Sequence, residues 1–121
     1  MTPCELLICA EDAMVNSYSP YSGFSVGAAL ITADGRVYKG CNIENSAFSP
    51  TICAERTAFF KAISEGENDF EAIAIVGKYK NGEYKHLCYP CGVCRQVMKE
   101  FCGGDFKIIL GQTDEAINKL K

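Results

Sequence analysis

Apolar positions change their period along this chain. From residue 3 to 17, Leu6, Ala10, Ala13, Met14 and Ser17 recur at three-to-four spacing, which predicts a helix with one stripe turned to a core. The turn-rich Ser19-Pro20-Tyr21-Ser22-Gly23 ends it. Phe24 to Thr32 is a nearly unbroken apolar run and predicts a buried strand. Asp34-Gly35 predicts a two-residue hairpin turn, and Arg36 to Asn42 the return strand. After a loop over residues 45–50, Thr51 to Glu65 predicts a helix closed by Gly66. Glu71 to Gly77 is a short apolar strand, Asn81-Gly82 a turn, and Tyr84-Lys85-His86 a polar strand. Cys91 to Phe101 predicts a helix stopped by Gly103-Gly104, Phe106 to Leu110 a last strand, and Asp114 to Leu120 a helical tail. This order predicts an α/β fold, a three-layer α-β-α sandwich around a central mixed sheet of about five strands. Strand–helix–strand segments are expected to form right-handed parallel crossovers. No repeat or linker interrupts the chain, so residues 1–121 are expected to form one domain.

One helix carries charge on its apolar side. Projected at 3.6 residues per turn, Ile52, Glu55, Arg56, Phe59, Phe60 and Ile63 share a face, with Lys61, Ser64 and Glu65 opposite. A buried carboxylate or guanidinium is costly unless paired or coordinated. An internal ion pair, or an Arg side chain reaching outward, would satisfy that rule. So would a functional carboxylate in a pocket, with desolvation raising its pKa towards neutrality. Cys53 is expected in the first turn, where Arg56, three residues on, can reach back to it.

Composition narrows the chemistry. Of 121 residues, 48% are hydrophobic, enough for an ordinary core without disulfide staples. Lys and Arg total 12 against 15 Asp and Glu, so no basic stripe for nucleic acid is expected. No apolar run approaches the roughly 18–20 residues of a membrane span. The first residues show no basic region or signal-peptide core, which points to a cytoplasmic location. In that reducing setting clustered cysteines read as metal or catalytic groups, and isolated ones such as Cys4 and Cys9 as small buried hydrophobes. Pro90-Cys91-Gly92-Val93-Cys94 places two thiols at a helix start. Alone, such a pair could be a thioredoxin-type redox motif or a metal site, but nothing around it supplies the thioredoxin strand order. With Cys53 from the other helix start, three thiolates converge, and zinc suits them. Three ligands leave a fourth position open for water, as in catalytic sites. Cys88 would be the fourth ligand of a closed structural site, and His86 is a weaker candidate, expected at the surface.

Cys53-Ala54-Glu55 followed by Pro90-Cys91-x-x-Cys94 matches the signature of zinc nucleobase deaminases in its three-cysteine version. Tyr21 to Ala29, Gly40 to Ser46 and Cys53 to Ala58 extend the likeness, and the chain resembles the small zinc-dependent homotetrameric cytidine deaminases over roughly residues 5 to 110. The resemblance implies one Zn²⁺ per subunit on Cys53, Cys91 and Cys94, with Glu55 moving protons as water replaces the C4 amine of cytidine or deoxycytidine in pyrimidine salvage. It implies that Arg56 offsets the sulfur charge, with Arg95 a lesser candidate. Phe24 would stack on the base, Asn42 and Glu44 hold the ribose 3′-hydroxyl, and the Ala54 N–H meet O2. The implied partners are a small nucleoside substrate and sister subunits, with neither nucleic acid nor membrane. The Asn45 to Ser49 loop, with Ser46 and Phe48, would complete a neighbouring subunit's site, although Phe48 stands where Tyr is common. The family's Leu-Leu-Pro tail, whose aromatic helps to close the pocket, is not matched after the last strand. Three other readings compete: a deaminase for another aminopyrimidine such as blasticidin S, a nucleic-acid-editing deaminase, and a non-catalytic zinc-stabilised binding module. Phe24 and Asn42-x-Glu44 weigh against the first, and Cys53 with the acidic balance against the second.

Overall fold

The computed structural model describes residues 1–85 and 88–111. His86 and the expected tail helix therefore lie outside the described residues. Helix α1 spans Pro3–Ala13. A capping box starts it: Thr2 Oγ1 accepts the Glu5 N–H at 3.1 Å and Glu5 accepts the Thr2 N–H at 3.0 Å. The expected helix to residue 17 ends its α-helical part at Ala13 and continues as a 3₁₀ turn over Met14–Asn16.

Strands β1 (Phe24–Thr32) and β2 (Val37–Cys41) form the predicted hairpin. Its connection differs from the two-residue turn expected. Gly35 N–H bonds Thr32 O at 3.0 Å, Thr32 N–H bonds Arg36 O at 2.9 Å, and Gly35 has φ +92°. This is a three-residue loop with glycine at the left-handed position, the usual companion of a bulge. Helix α2 (Ala54–Ser64) leads to β3 (Phe70–Tyr79), and β4 is the short Tyr84–Lys85. Helix α3 (Gly92–Phe101) leads to β5 (Lys107–Leu110).

The five strands make one mixed sheet in the order β2-β1-β3, with β4 and β5 sharing the other edge of β3. β1 is antiparallel to both neighbours, β5 runs parallel to β3 along residues 72–75, and β4 runs antiparallel to it at residues 77–78. The strands alternate between two cores. Ala28, Leu30, Ile73 and Ile75 face α2 and α3, packing with Ala58, Phe59, Ala62 and Met98. Ala29, Ile31, Ala72, Ala74 and Val76 face α1, packing with Leu6, Leu7 and Ala10. Covered on both sides, β1 and β3 read as continuous apolar runs, and the three-layer architecture follows.

Two features of α2 differ from the sequence expectation. The helix begins at Ala54, because Ile52 is held extended by paired backbone bonds to Ile43 at 2.9 and 3.0 Å. Cys53 is thus the N-cap and not a first-turn residue. The buried face is also rotated: Ala54, Glu55, Ala58, Phe59 and Ala62 point inward, whereas Phe60 is exposed. Close approach explains this. A Cβ on Gly40 of β2 would lie 2.6 Å from the Ala58 nitrogen, so the helix rests on the sheet through its smallest side chains.

Candidate active site

The N-termini of α2 and α3 converge beside the outer end of β1. Cys53 and Cys91 are their two N-cap residues, and Cys94 follows on the first turn of α3. The Cys91 sulfur accepts the Cys94 N–H at 3.4 Å, so one thiol both caps a helix and faces the other sulfurs. Cys53 and Cys91 sulfurs are 3.5 Å apart, and those of Cys91 and Cys94 3.4 Å. The three lie within 4.8 Å of one another, and no other metal-binding side chain among the described residues joins them. Tetrahedral zinc with bonds of about 2.3 Å needs sulfurs about 3.8 Å apart, so this donor set fits the ion with little adjustment. Cys88 lies outside the cluster, which removes the closed four-cysteine site from consideration.

The thiols are already charge-poised. Hydrogen bonding from Cys94, then from the Arg56 guanidinium, pushes the Cys53 pKa down to about 5 despite burial. The same bond to Cys53, with burial, pushes Cys94 far up, so one negative charge is favoured and a second resisted. A dication removes that resistance. Arg56 Nη2 donates to Cys53 Sγ at 3.4 Å, as the helix spacing predicted. Arg56 Nε is buried without a hydrogen-bond partner among the described residues. Arg95 is exposed, and no hydrogen bond ties it to the sulfurs among the described residues.

Glu55 is 4% exposed. Burial pushes its carboxyl up to about 7, and the neighbouring Cys53 thiolate adds to the shift. It stands beside the sulfurs without belonging to their cluster.

A cleft of about 300 Å³ opens onto this group. Phe24, Asn42, Glu44, Cys53, Ala54, Glu55 and Cys91 line it, seven of the eleven residues singled out from the sequence, whereas Cys94 and Arg56 stand behind its wall. Asn42 Oδ1 accepts the Val26 N–H at 2.9 Å and the Ser17 hydroxyl, while Nδ2 donates to Phe24 O at 2.9 Å. These backbone partners fix the amide's orientation and leave one N–H as its spare capacity. Glu44 Oε1 accepts the Tyr21 and Ser22 N–H groups at 3.0 and 3.1 Å, and Oε2 accepts the Ser22 hydroxyl. Its spare capacity is one acceptor position. Ala54, at the first helical position of α2, has an N–H without an intrahelical partner. Phe24 stacks tilted on Tyr79, with ring centroids 4.8 Å apart.

Ser46 and Phe48 do not reach the cleft of their own chain, and Phe48 is 93% exposed. Sequence reasoning missed Ser22, Val26, Thr51, Ile52 and Tyr89 as lining residues. Of these, Ser22 and Val26 sat in a segment, Tyr21 to Ala29, whose likeness could have drawn attention to them.

Residues 2–110 match the family described as "Cytidine and deoxycytidylate deaminase zinc-binding region". The chain is 50% identical over 106 residues to the cytidine deaminase of Sporosarcina psychrophila, covering 88% of this chain and 74% of that one. It is 49% identical over 111 residues to the cytidine deaminase of Halalkalibacterium halodurans, covering 92% and 80%. The crystal structure of a cytidine deaminase from Burkholderia pseudomallei superposes with a TM-score of 0.82 at 43% identity, covering 93% and 86%.

Proposed function

The chain belongs to the cytidine and deoxycytidylate deaminase family, and on that premise we propose that it hydrolyses the C4 amine of free cytidine, giving uridine and ammonia. The observation that carries this reading is a buried carboxyl beside three clustered sulfurs, lining a cleft of about 300 Å³. The cofactor is zinc, one ion per subunit. We assign Cys53, Cys91 and Cys94 as its ligands. Bound zinc supplies Lewis acidity that makes water nucleophilic near pH 7.

The protein's own groups do the rest. Glu55, with a pKa near the working pH, takes one proton from water and delivers it to ring N3, where uridine keeps it; it then takes the second proton from the hydroxyl added at C4 and passes it to the departing amine, which leaves as ammonia. The Ala54 N–H holds O2, and the Phe24 ring supports the face of the base. The spare donor of Asn42 and the spare acceptor of Glu44 together complement one hydroxyl group, which we assign to the ribose. A carboxylate at that point repels phosphate, so nucleosides are favoured over nucleotides. Arg56 offsets the charge of three thiolates and so preserves the ion's acidity.

The exposed Phe48 loop supports a homotetramer in which this segment borders a neighbour's site. No helix among the described residues is long and apolar enough to cross a membrane. We place the reaction in cytoplasmic pyrimidine salvage, with residues 1–121 acting as one domain.

The test is loss of the cytosine ultraviolet band on mixing cytidine, deoxycytidine or cytidine monophosphate with zinc-loaded protein of measured mass in solution. Wild type is expected to deaminate the nucleosides and leave the monophosphate nearly untouched. Glu55→Gln is expected to lose about 10²–10⁴-fold in kcat with its zinc retained. Arg56→Ala is expected to keep zinc and turn over more slowly. An inert wild type with full zinc would leave only a binding module, and a monomeric mass would remove the tetramer.

A further inference from the structure

One wall of the cleft has no part in the reaction as derived. It is the short segment that leads into α3. Cys88 and Pro90 are buried, yet Tyr89 between them is 59% exposed, and Cys88, Tyr89 and Cys91 all line the cleft. The backbone is therefore pinned on both sides of Tyr89, and Cys91 is held further as the cap of α3. The tyrosine ring stands on a fixed base at the mouth of the site.

The orientation of the base tells what this wall meets. The premise here is the cytidine reading above. O2 and N3 turn towards Ala54 and Glu55, both on α2, and C4 sits by the sulfurs shared between the two helices. In a pyrimidine, C5 and C6 form the edge opposite O2 and N3. That edge therefore turns away from α2, towards the Cys88–Pro90 segment. It carries only C–H groups, and it meets a thiol and an aromatic ring, so the polarities agree.

The wall has no room to retreat. A Cβ on Gly77 of β3 would lie 2.9 Å from Cys88 Sγ and 2.5 Å from Phe24 Cζ, so both side chains already rest against the sheet backbone. With the back of the slot closed by β3, free space beside C5 depends on the ring at the front.

We propose that Tyr89 is a specificity-determining residue that sets how large a C5 substituent on the pyrimidine the cleft admits. The test compares kcat/KM for cytidine, 5-methylcytidine and 5-iodocytidine in wild type, Tyr89→Ala, Tyr89→Phe and Tyr89→Trp, each with zinc content and melting temperature measured. Efficiency in wild type is expected to fall with substituent size, about tenfold or more from hydrogen to iodine, the range that one added group imposes in a tight pocket. Tyr89→Ala is expected to narrow the ratio of cytidine to 5-iodocytidine by about tenfold. Tyr89→Phe should keep the wild-type ratio, because the ring and not the hydroxyl fills the space. Tyr89→Trp should widen the ratio, an opposite sign that general damage to the fold does not produce. An unchanged ratio in both Tyr89→Ala and Tyr89→Trp, or a wild type indifferent to substituent size, overturns the proposal. A zinc-loaded wild type that leaves cytidine untouched overturns the reaction itself and this inference with it.

Discussion

Glu55 holds its proton at a cost that depends on pH. Its folded pKa of about 7 lies above the ordinary 4.5, so in metal-free protein its contribution to stability is fully present below pH 4.5 and is lost as pH rises through 7. Cys53 runs the other way: its folded value of about 5 lies below 9, so its contribution is present above pH 9 and lost as pH falls through 5. Comparing wild type with Glu55→Gln, both stripped of metal, cancels most of the sulfur effect. The variant is expected to match wild type near pH 4 and to exceed it by about 3 kcal/mol at pH 8, from 1.36 kcal/mol per pKa unit. Urea denaturation across that range checks it, and a flat difference would contradict the assignment. Glu55 and Arg56 were legible in the sequence because helical period alone forces them towards the core side. Glu44 was legible only by family likeness. Its partners Tyr21 and Ser22 stand more than twenty positions away, and no local pattern reports such a pairing. Tyr89 left no trace, since an exposed aromatic between two buried residues has no period to betray it.

At the scale of elements, the site depends on where two helices begin. The expected start of α2 at Thr51 fell three residues early because Ile52 was counted by its hydrophobicity, while its backbone pairs with Ile43. That pairing is non-local and hidden from any window of the sequence. Likewise the helical projection centred on Ile52 turns Phe60 inward, but contact with Gly40 selects small residues, and alanines take the inner face. Hydrophobicity locates a stripe; backbone proximity decides its centre. Gly40→Ala is therefore expected to push α2 off β2, costing about 2–3 kcal/mol as overpacking does and weakening zinc retention through Cys53. Gly35→Ala is the control. Its Cβ meets nothing within 4 Å, so only the strain of φ +92° is felt, about 1 kcal/mol, with zinc affinity unchanged. Thermal melts and competitive zinc titration separate the two.

For the whole molecule, order of elements and apolar runs sufficed to anticipate three layers, because strands covered on both faces must find helices on each. The shared edge of β3, with β5 and β4 end to end, was beyond that reasoning, since register depends on contacts between distant segments. Both cores are hydrophobic, and although Cys88 and Met98 belong to one of them, neither includes the sulfurs of Cys53, Cys91 or Cys94. Helices α2 and α3 touch each other only slightly and meet at their tips. The ion is thus a rivet between two struts that are otherwise fastened separately to the sheet. Chelation should loosen the joint and spare the frame: amide hydrogens in the first turns of α2 and α3 would exchange faster with solvent deuterium, while those of β1 and β3 stay slow. A sheet that lost its protection as soon as the metal left would mean that the rivet holds up the frame.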